Sequence, residues 1–158
     1  TFDAVVCVLA LENIDSIEHV FSESSRLLKA GGRAVLVMAH PAFRIPRQSN
    51  WGWDEEHDIL FRSMNLYLSH LKIPIDMRPF REPSQKVTWT YHRPIEAYVN
   101  GLAKAGLWVN AMEEWPSHRI SQPGPRAKAE NRAREEFPLF LALRAVKITP
   151  GLWERGRR

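Results

Sequence analysis

The hydrophobic positions of the chain alternate between continuous runs and stripes at helical spacing. An almost unbroken apolar run rich in valine covers residues 2–11, and a second run covers residues 33–39. Such runs are typical of strands buried on both faces of a parallel sheet that helices cover. Between the two runs, one helix face is marked by Ile17, Val20, Phe21, Ser24, Leu27 and Leu28. The pattern predicts a right-handed β-α-β unit.

Polar and glycine residues at the ends of the predicted helix support this reading. Asp15 or Ser16 can cap its first turn, and Gly31 can supply the left-handed residue that follows its last turn.

A similar alternation returns in the second half of the chain. A helix is predicted from Pro94 to Gly106, followed by a strand at 107–112, a helix at 125–136 and a strand at 139–146. Only a short helix joins these last two strands. A long hairpin would also fit that connection and would make the final strand antiparallel.

The stretch between these halves, residues 40–86, has no sustained period. It contains several prolines and paired tryptophans, and we predict a functional lid or an inserted subdomain, with a helix at about 58–71. The motif KVTWTYHR, residues 86–93, predicts a short strand or an extended lead-in to the next helix.

Composition fits one domain of 158 residues with 44% hydrophobic residues, six Trp and seven Phe. No apolar run approaches the ~20 residues of a membrane span, and the first residues lack the basic region and cleavage site of a signal peptide. The single cysteine, Cys7, excludes an internal disulfide and predicts a cytoplasmic location. We expect residues 148–158 to be a solvated basic tail.

Four motifs in order give the chain a family resemblance. FDAVVCVLALENI, SESSRLLKAGGRAVLVMAHP, YHRPIEAYVNGLAKAGLWVNAMEEW and FPLFLALRAVK resemble the carboxy-terminal half of a class I S-adenosylmethionine-dependent methyltransferase of the type 11-like group. The resemblance implies an α/β fold in which residues 1–147 form strands four to seven of a partial Rossmann-like sheet. In this family the last strand is antiparallel and lies between the fifth and sixth, and residues 40–86 would be an inserted lid.

The same resemblance implies a function and its cofactor. It implies methyl transfer from S-adenosyl-L-methionine to a small-molecule acceptor, but the family's GxGxG loop and the acidic residue after its second strand are absent. We therefore expect a fragment of a longer enzyme that binds the cofactor weakly or not at all. Its first strand would lack a neighbour, and the open edge would favour self-association.

Residues that follow the first strand are the candidates for cofactor contacts. Ligands in open α/β sheets bind at the carboxyl ends of the strands. By resemblance, the backbone at this point lines the methionine side of the cofactor. The candidates are Leu9, Ala10, Leu11 and Glu12, although Leu9 and Leu11 could be core residues and Glu12 could cap a loop.

Two histidines are the candidates for proton transfer. His40 follows the second strand and precedes a proline, so it could act as a general base or hydrogen-bond the substrate. His92 could face the acceptor from the segment before the late helix. The alternative for both is a structural role.

The remaining candidates would bind the methyl acceptor. Phe43, Trp51 and Trp53 could line an apolar acceptor pocket or fill a small core under the insert. Tyr91 lies beside Arg93, which could bind an anionic substrate group or form a local ion pair.

No metal site is predicted, because the histidines show no metal-ligand spacing with one another or with Cys7. Asp54, Glu55, Glu56 and His57 form a polar run that is more typical of a solvated helix start.

Two other functions compete with methyl transfer. One is a non-catalytic interaction module that pairs through the open strand edge. The other is part of an RNA-directed methyltransferase that uses the basic residues at 119–134, although no aromatic residues alternate with these arginines as nucleic-acid binding favours.

Overall fold

A computed structural model describes residues 1–76 and 87–148 of the chain. The helices are α1 (Ile17–Leu27), α2 (Ile95–Lys104) and α3 (Ala127–Glu136), and a short 3-10 turn covers Leu11–Asn13. The strands are β1 (Phe2–Val8), β2 (Leu28–Ala39), β3 (Ser49–Asp54), β4 (Ile59–Met64), β5 (Leu71–Asp76), β6 (Val87–His92), β7 (Leu107–Trp115) and β8 (Phe140–Lys147).

Four of the strands form one mixed sheet in the order β1-β2-β8-β7. β1 and β2 are parallel, whereas β8 runs antiparallel to both of its neighbours, β2 and β7. The final strand of the chain therefore lies reversed in the interior of the sheet. This confirms the α/β fold class and the antiparallel last strand that the resemblance implied.

The main core lies on the face of the sheet that α1 and α2 cover. Leu36 and Met38 of β2 are fully buried there beside Phe21 of α1. Phe21 packs directly on Gly101 of α2, where a Cβ atom would lie 3.0 Å from the phenyl ring. A fully buried side chain of this size contributes about 1.5–3 kcal/mol, so this layer accounts for much of the stability of the fold.

The opposite face of the sheet is more open than the sequence predicts. Val6 and Val8 of β1 are 63% and 55% exposed, and Val35 and Val37 of β2 are only half-buried. The prediction that β1 is buried on both faces is wrong for the described residues. β1 is an edge strand, and none of the described helices packs over its second face.

The insert between β2 and α2 consists of two β-hairpins, β3–β4 and β5–β6. The predicted helix at 58–71 is wrong, because residues 59–64 form strand β4. The turn between β3 and β4 is closed by Asp54, whose carboxylate accepts hydrogen bonds from the backbone amides of Glu56 and His57. The prediction of a strand near 86–93 is confirmed by β6.

Two glycines occupy the left-handed backbone region, which was predicted for Gly31 only and as the residue that follows the last turn of α1. Gly106 (φ 76°) lies two residues beyond the last residue of α2, directly after the C-cap Ala105, whereas Gly31 (φ 74°) lies four residues beyond the last residue of α1. The chain leaves α1 at Leu28 in an extended conformation, so Gly31 does not cap the helix. It lies where the register between β1 and β2 shifts, between Phe2 and Ala4.

The expected basic tail lies almost wholly outside the described residues. Within the part of the chain that the structure describes, the helices lack the length and apolar character needed to cross a lipid bilayer.

Candidate active site

The candidate site lies at the carboxyl end of the sheet, where β1, β2 and β7 all end. Leu9 follows β1 in the left-handed region (φ 50°), and its amide donates a hydrogen bond to the carbonyl oxygen of Val37 at 2.7 Å. For a leucine this conformation costs on the order of 1–2 kcal/mol. The strained turn redirects the chain across the carboxyl end of the sheet into the 3-10 turn.

The four residues predicted to contact the cofactor take different environments in this turn. Leu9 is exposed and Ala10 is half-buried, so both border the open end of the sheet. The side chain of Leu11 is fully buried in the core, so only its backbone can face a ligand. Glu12 is half-buried and points toward the insert.

Glu12 lines a small recess of about 50 Å³ between the sheet and the insert. Three segments form its wall: the turn after β1, the end of β2 with the loop that follows it, and the end of β6 with α2. The lining residues are Glu12, Met38, Ala39, Pro41, Arg44, Pro46, Thr90, Tyr91, His92, Arg93 and Tyr98. The fold therefore brings four of the predicted site residues together, namely Glu12, Tyr91, His92 and Arg93.

Arg93 is the most deeply buried cationic side chain of this recess, with 6% of its surface exposed. Its Nη2 atom donates hydrogen bonds to the backbone carbonyl oxygens of Ile14, at 2.8 Å, and of Asp15. The guanidinium also lies over the ring of Tyr91, with Cζ 5.2 Å from the ring centroid. Nη1 has no hydrogen-bond partner among the described residues although it is buried.

Glu12 carries a charge opposite to that of Arg93, and one of its polar atoms is likewise buried and unbonded in the described part of the chain. Its Oε2 atom is buried and has no hydrogen-bond partner among the residues that the structure describes. The backbone carbonyl of Glu12 accepts a hydrogen bond from the hydroxyl of Thr90 at 3.2 Å, which joins the turn to β6. Two opposite charges therefore line one recess, and each retains an unused polar atom.

Tyr98 of α2 lies close enough to feel both of these charges. Burial is the main cause that raises the pKa of the Tyr98 hydroxyl, while the Arg93 guanidinium lowers it and the Glu12 carboxylate raises it further. The hydroxyl is therefore neutral at physiological pH and able to form hydrogen bonds within the recess.

His92 is 5% exposed, and its Nε2 atom lies 2.8 Å from the carbonyl oxygen of Tyr67. A carbonyl oxygen can only accept, so Nε2 carries the proton. Burial lowers the pKa of His92, and the nearby charges of His70 and Arg93 lower it further, while the bond to Tyr67 acts in the opposite direction. The neutral ring is the favoured form at neutral pH.

His40 is placed outside the recess and is held at both ring nitrogens. Nδ1 accepts a hydrogen bond from the amide of Ala42 at 3.2 Å, so Nε2 carries the proton and donates it to a carboxylate oxygen of Glu114 at 2.8 Å. Ala39 and Trp115 both pair with Phe140, which brings the ends of β2 and β7 to this position. The ring is only 1% exposed and has no free nitrogen with which to accept a proton.

The predicted aromatic residues of the insert form a cluster around α3 rather than lining the recess. Phe43 packs on His40 at a centroid distance of 4.8 Å and on Phe137 at 5.6 Å, and Trp51 meets Phe137 edge-on at 5.4 Å. Trp53 stacks under the guanidinium of Arg126 at 4.5 Å. None of the three lines the recess, and Trp51 remains 42% exposed.

Sequence reasoning missed several residues of these two regions. Tyr98, Glu114 and Phe137 are not among the candidates that the sequence offers. A signal for Glu114 existed, since acidic residues at the end of a strand lie at the ligand-binding edge of an α/β sheet.

Metal ligands and nucleophiles are not evident in the described residues. No group of three or more His, Cys, Asp or Glu side chains is placed to hold a metal ion within residues 1–76 and 87–148. Burial raises the pKa of the Cys7 thiol, so this side chain is a poor nucleophile at neutral pH.

Comparison with solved structures identifies the architecture. A protein described as an S-adenosylmethionine-dependent methyltransferase from Listeria monocytogenes superposes with a TM-score of 0.68 and 22% identity over 94% of the chain. The chain has the fold of S-adenosylmethionine-dependent methyltransferases. A second methyltransferase of this kind, from Mesorhizobium loti, matches 92% of the chain with a TM-score of 0.65 and 23% identity.

The remaining comparisons show lower structural similarity or match a shorter part of the chain. A glycopeptide N-methyltransferase solved with S-adenosyl-L-methionine matches with a TM-score of 0.52 and 14% identity, and the chain covers 58% of it. The family model of a methyltransferase domain matches residues 1–36. The chain spans 62% of the length of the Listeria and Mesorhizobium proteins. No curated protein matches the chain.

Proposed function

We propose that the chain forms the acceptor side of a methyltransferase that moves a methyl group from S-adenosylmethionine to a small molecule. The observation that carries this proposal is the strand order β1-β2-β8-β7 with a reversed β8, which the chain shares with solved methyltransferases. Ligands of such sheets bind where the parallel strands end. In this chain that edge carries the strained turn at Leu9 and the recess beside Glu12.

The residues present fit one side of the cofactor. Leu9 and Ala10 leave the sheet in an accessible turn at the crevice, where the resemblance implies contacts with the cofactor. The glycine-rich loop that the resemblance implies has no counterpart in the sequence. The cofactor supplies an electrophilic methyl group on a sulfonium, and the chain contributes by positioning the acceptor against it.

His40 and His92 have different roles in this proposal. His40, with both nitrogens engaged, orients the loop after β2 and does not transfer a proton. His92 has a lowered pKa and lines the recess, so it is the better candidate for contact with the acceptor. Its protonated Nε2 is held by Tyr67, which leaves Nδ1 as the atom that can accept a proton.

Titration with S-adenosylhomocysteine tests the proposal. We expect weak binding that shifts the NMR resonances of residues 9–12 and 39–41 and leaves those of α3 unchanged. Resonance shifts confined to other parts of the chain would contradict the proposed site. Tight, stoichiometric binding in calorimetry would contradict the prediction that the 158 residues bind this cofactor weakly.

The proposal includes a cytoplasmic location, which the single cysteine supports because it has no partner for a disulfide.

The insert would act as the lid over the acceptor, since β6 contributes Tyr91, His92 and Arg93 to the recess.

Self-association through β1 is a second candidate function. The edge of β1 is open, and Phe2, Val6 and Val8 are exposed along it. Such an edge can pair with another strand. A defined dimer in size-exclusion chromatography across concentrations would favour an interaction module, whereas a concentration-independent monomer would remove it.

An RNA-directed role has less support in the described residues. Arg126 lies 3.9 Å from a carboxylate oxygen of Glu55, and Arg134 lies 4.0 Å from one of Glu130. Cations that face carboxylates in this way add little attraction for phosphate. A binding constant for RNA that hardly changes with salt concentration would exclude the role.

A further inference from the structure

The recess beside Glu12 contains two opposite charges that the fold leaves incompletely bonded. Leaving a buried polar atom without a hydrogen bond costs about 1–3 kcal/mol, and more where the group is charged. Arg93 is more than nine-tenths buried, yet Nη1 has no partner among the described residues, and the same holds for the buried Oε2 atom of Glu12. Such atoms call for a partner from outside the described residues, which can be a water molecule, an ion or a ligand.

The charge balance of the recess selects among ligand classes. An anion would gain from Arg93 and be repelled by Glu12, and a cation would experience the reverse. His92 adds no charge at neutral pH because burial lowers its pKa, and Tyr98 is neutral because burial raises its pKa. Arg44 lies at the rim with an exposed side chain, where solvent screens its charge.

We infer that the recess binds the zwitterionic head group of an α-amino-acid-like methyl acceptor. The carboxylate would accept hydrogen bonds from Nη1 of Arg93, and the ammonium group would donate to Oε2 of Glu12. A zwitterion satisfies both orphaned atoms at once and brings no net charge into a buried site. This inference rests on the proposed function for the identity of the ligand as an acceptor.

The geometry favours an acceptor over the methionine end of the cofactor, which carries the same head group. Most of the recess wall comes from the end of β2 and from the insert that would cover the acceptor, including Pro41, Thr90 and Tyr91. The turn at Leu9 and Ala10, where the resemblance implies cofactor contacts, does not line the recess.

Small probes test the head-group chemistry without any methyl transfer. The full chain would be titrated with glycine, acetate and ethylammonium while the amide resonances of Glu12 and residues 90–93 and the Nε resonance of Arg93 are followed by NMR. We expect glycine to bind about tenfold more tightly than either single-charge probe, because only glycine pairs with both groups. Equal affinities for glycine and acetate, or shifts outside the recess, would overturn the inference.

A charge-neutral variant with a matched control separates binding from structure. Glu12→Gln should weaken glycine binding about fivefold and strengthen acetate binding more than about twofold, because the repulsion of the anion is removed, so acetate should then bind more tightly than glycine. Glu135→Gln makes the same change on the exposed surface of α3 and should leave both affinities unchanged. A purely structural role for Glu12 would not reverse the order of the two probes, and an unchanged order would overturn the inference.

Competition distinguishes the two sources of the head group. If the recess belongs to the acceptor, glycine should still bind when S-adenosylhomocysteine is present. Displacement of glycine by S-adenosylhomocysteine would overturn the assignment to the acceptor. If glycine binds the recess but S-adenosylhomocysteine shifts only resonances elsewhere in the chain, the proposed function fails while the head-group site remains.

Discussion

Two regions at the carboxyl end of the sheet bury polar groups in opposite ways. In the cluster of His40, Phe43, Trp51, Glu114 and Phe137, called here the aromatic cluster, both nitrogens of His40 are bonded and the rings pack edge to face. In the recess, Arg93 and Glu12 each keep a buried polar atom without a partner in the described part of the chain.

The difference distinguishes a polar group that supports the fold from one that is available to bind a ligand. A buried polar group with all its bonds made contributes to a unique packing, whereas an incompletely bonded one lowers stability unless something else completes it. The sequence offered His40 as a candidate for proton transfer and Arg93 as a candidate for binding an anionic group, and their surroundings favour a structural role for the first and a binding role for the second.

The largest effect is expected at Arg93, because its Nη2 atom bonds to the backbone and so also supports the fold. Arg93→Ala removes the bonds from Nη2 to the carbonyl oxygens of Ile14 and Asp15, and both bonds are donated by a buried charged group. Since hydrogen bonds to charged groups contribute about 1.5–3 kcal/mol each, we expect a loss of about 3 kcal/mol or more in the free energy of unfolding, measured by urea denaturation. Arg132→Ala, on the exposed face of α3, is the control and should change stability little. A loss below about 1 kcal/mol would mean that the guanidinium is not anchored as described.

The next effect tests whether the aromatic cluster is structural. His40→Ala deletes a fully buried ring and two hydrogen bonds, so we expect a loss of about 2–4 kcal/mol in the free energy of unfolding. His118→Ala, at an exposed position, serves as the control. If His40→Ala kept its stability but abolished methyl transfer in an active form of the enzyme, His40 would be the general base after all.

The sheet and its two covering helices could be predicted from the sequence because burial of apolar side chains produces local patterns. The apolar runs at 2–11 and 33–39 predict buried strands, and the stripe of α1 has helical spacing. The order of these elements then limits the topology. The position of β8 came from the resemblance, which selects the antiparallel arrangement from the two that the pattern allows.

The insert and the pairing within the site could not be predicted in the same way. Residues 59–64 contain apolar residues beside an acidic run and fit a helix as well as a strand, and the choice depends on the side chain of Asp54 closing a turn. The contact between His40 and Glu114 spans 74 positions and follows from the register of three strands. Neither is visible as a local pattern.

A smaller effect should come from the pH dependence of His92. Burial lowers its pKa from the usual 6.5, so below that pH the unfolded chain binds a proton that the folded chain does not. Stability should therefore fall as the pH drops through about 6.5, by at most about 1.4 kcal/mol per pH unit for one group. Urea denaturation at several pH values should show a smaller decrease in His92→Gln than in wild type. His118→Gln, an exposed control, should keep the wild-type decrease, and the same decrease in all three proteins would contradict the role of His92.

The smallest effect separates the two regions most directly, because the same chemical change is made in each. Glu114→Gln weakens the charge-assisted bond that His40 donates, and we expect a loss of about 0.5–1.5 kcal/mol in the free energy of unfolding. Glu12→Gln removes a carboxylate whose buried oxygen has no partner among the described residues, so stability should stay within about 0.5 kcal/mol of wild type or rise. Both changes in the free energy of unfolding would be measured by urea denaturation at neutral pH. A larger loss at Glu12 than at Glu114 would mean that the carboxylate of Glu12 already stabilises the fold, and the recess would then be part of the structure in the same sense as the aromatic cluster.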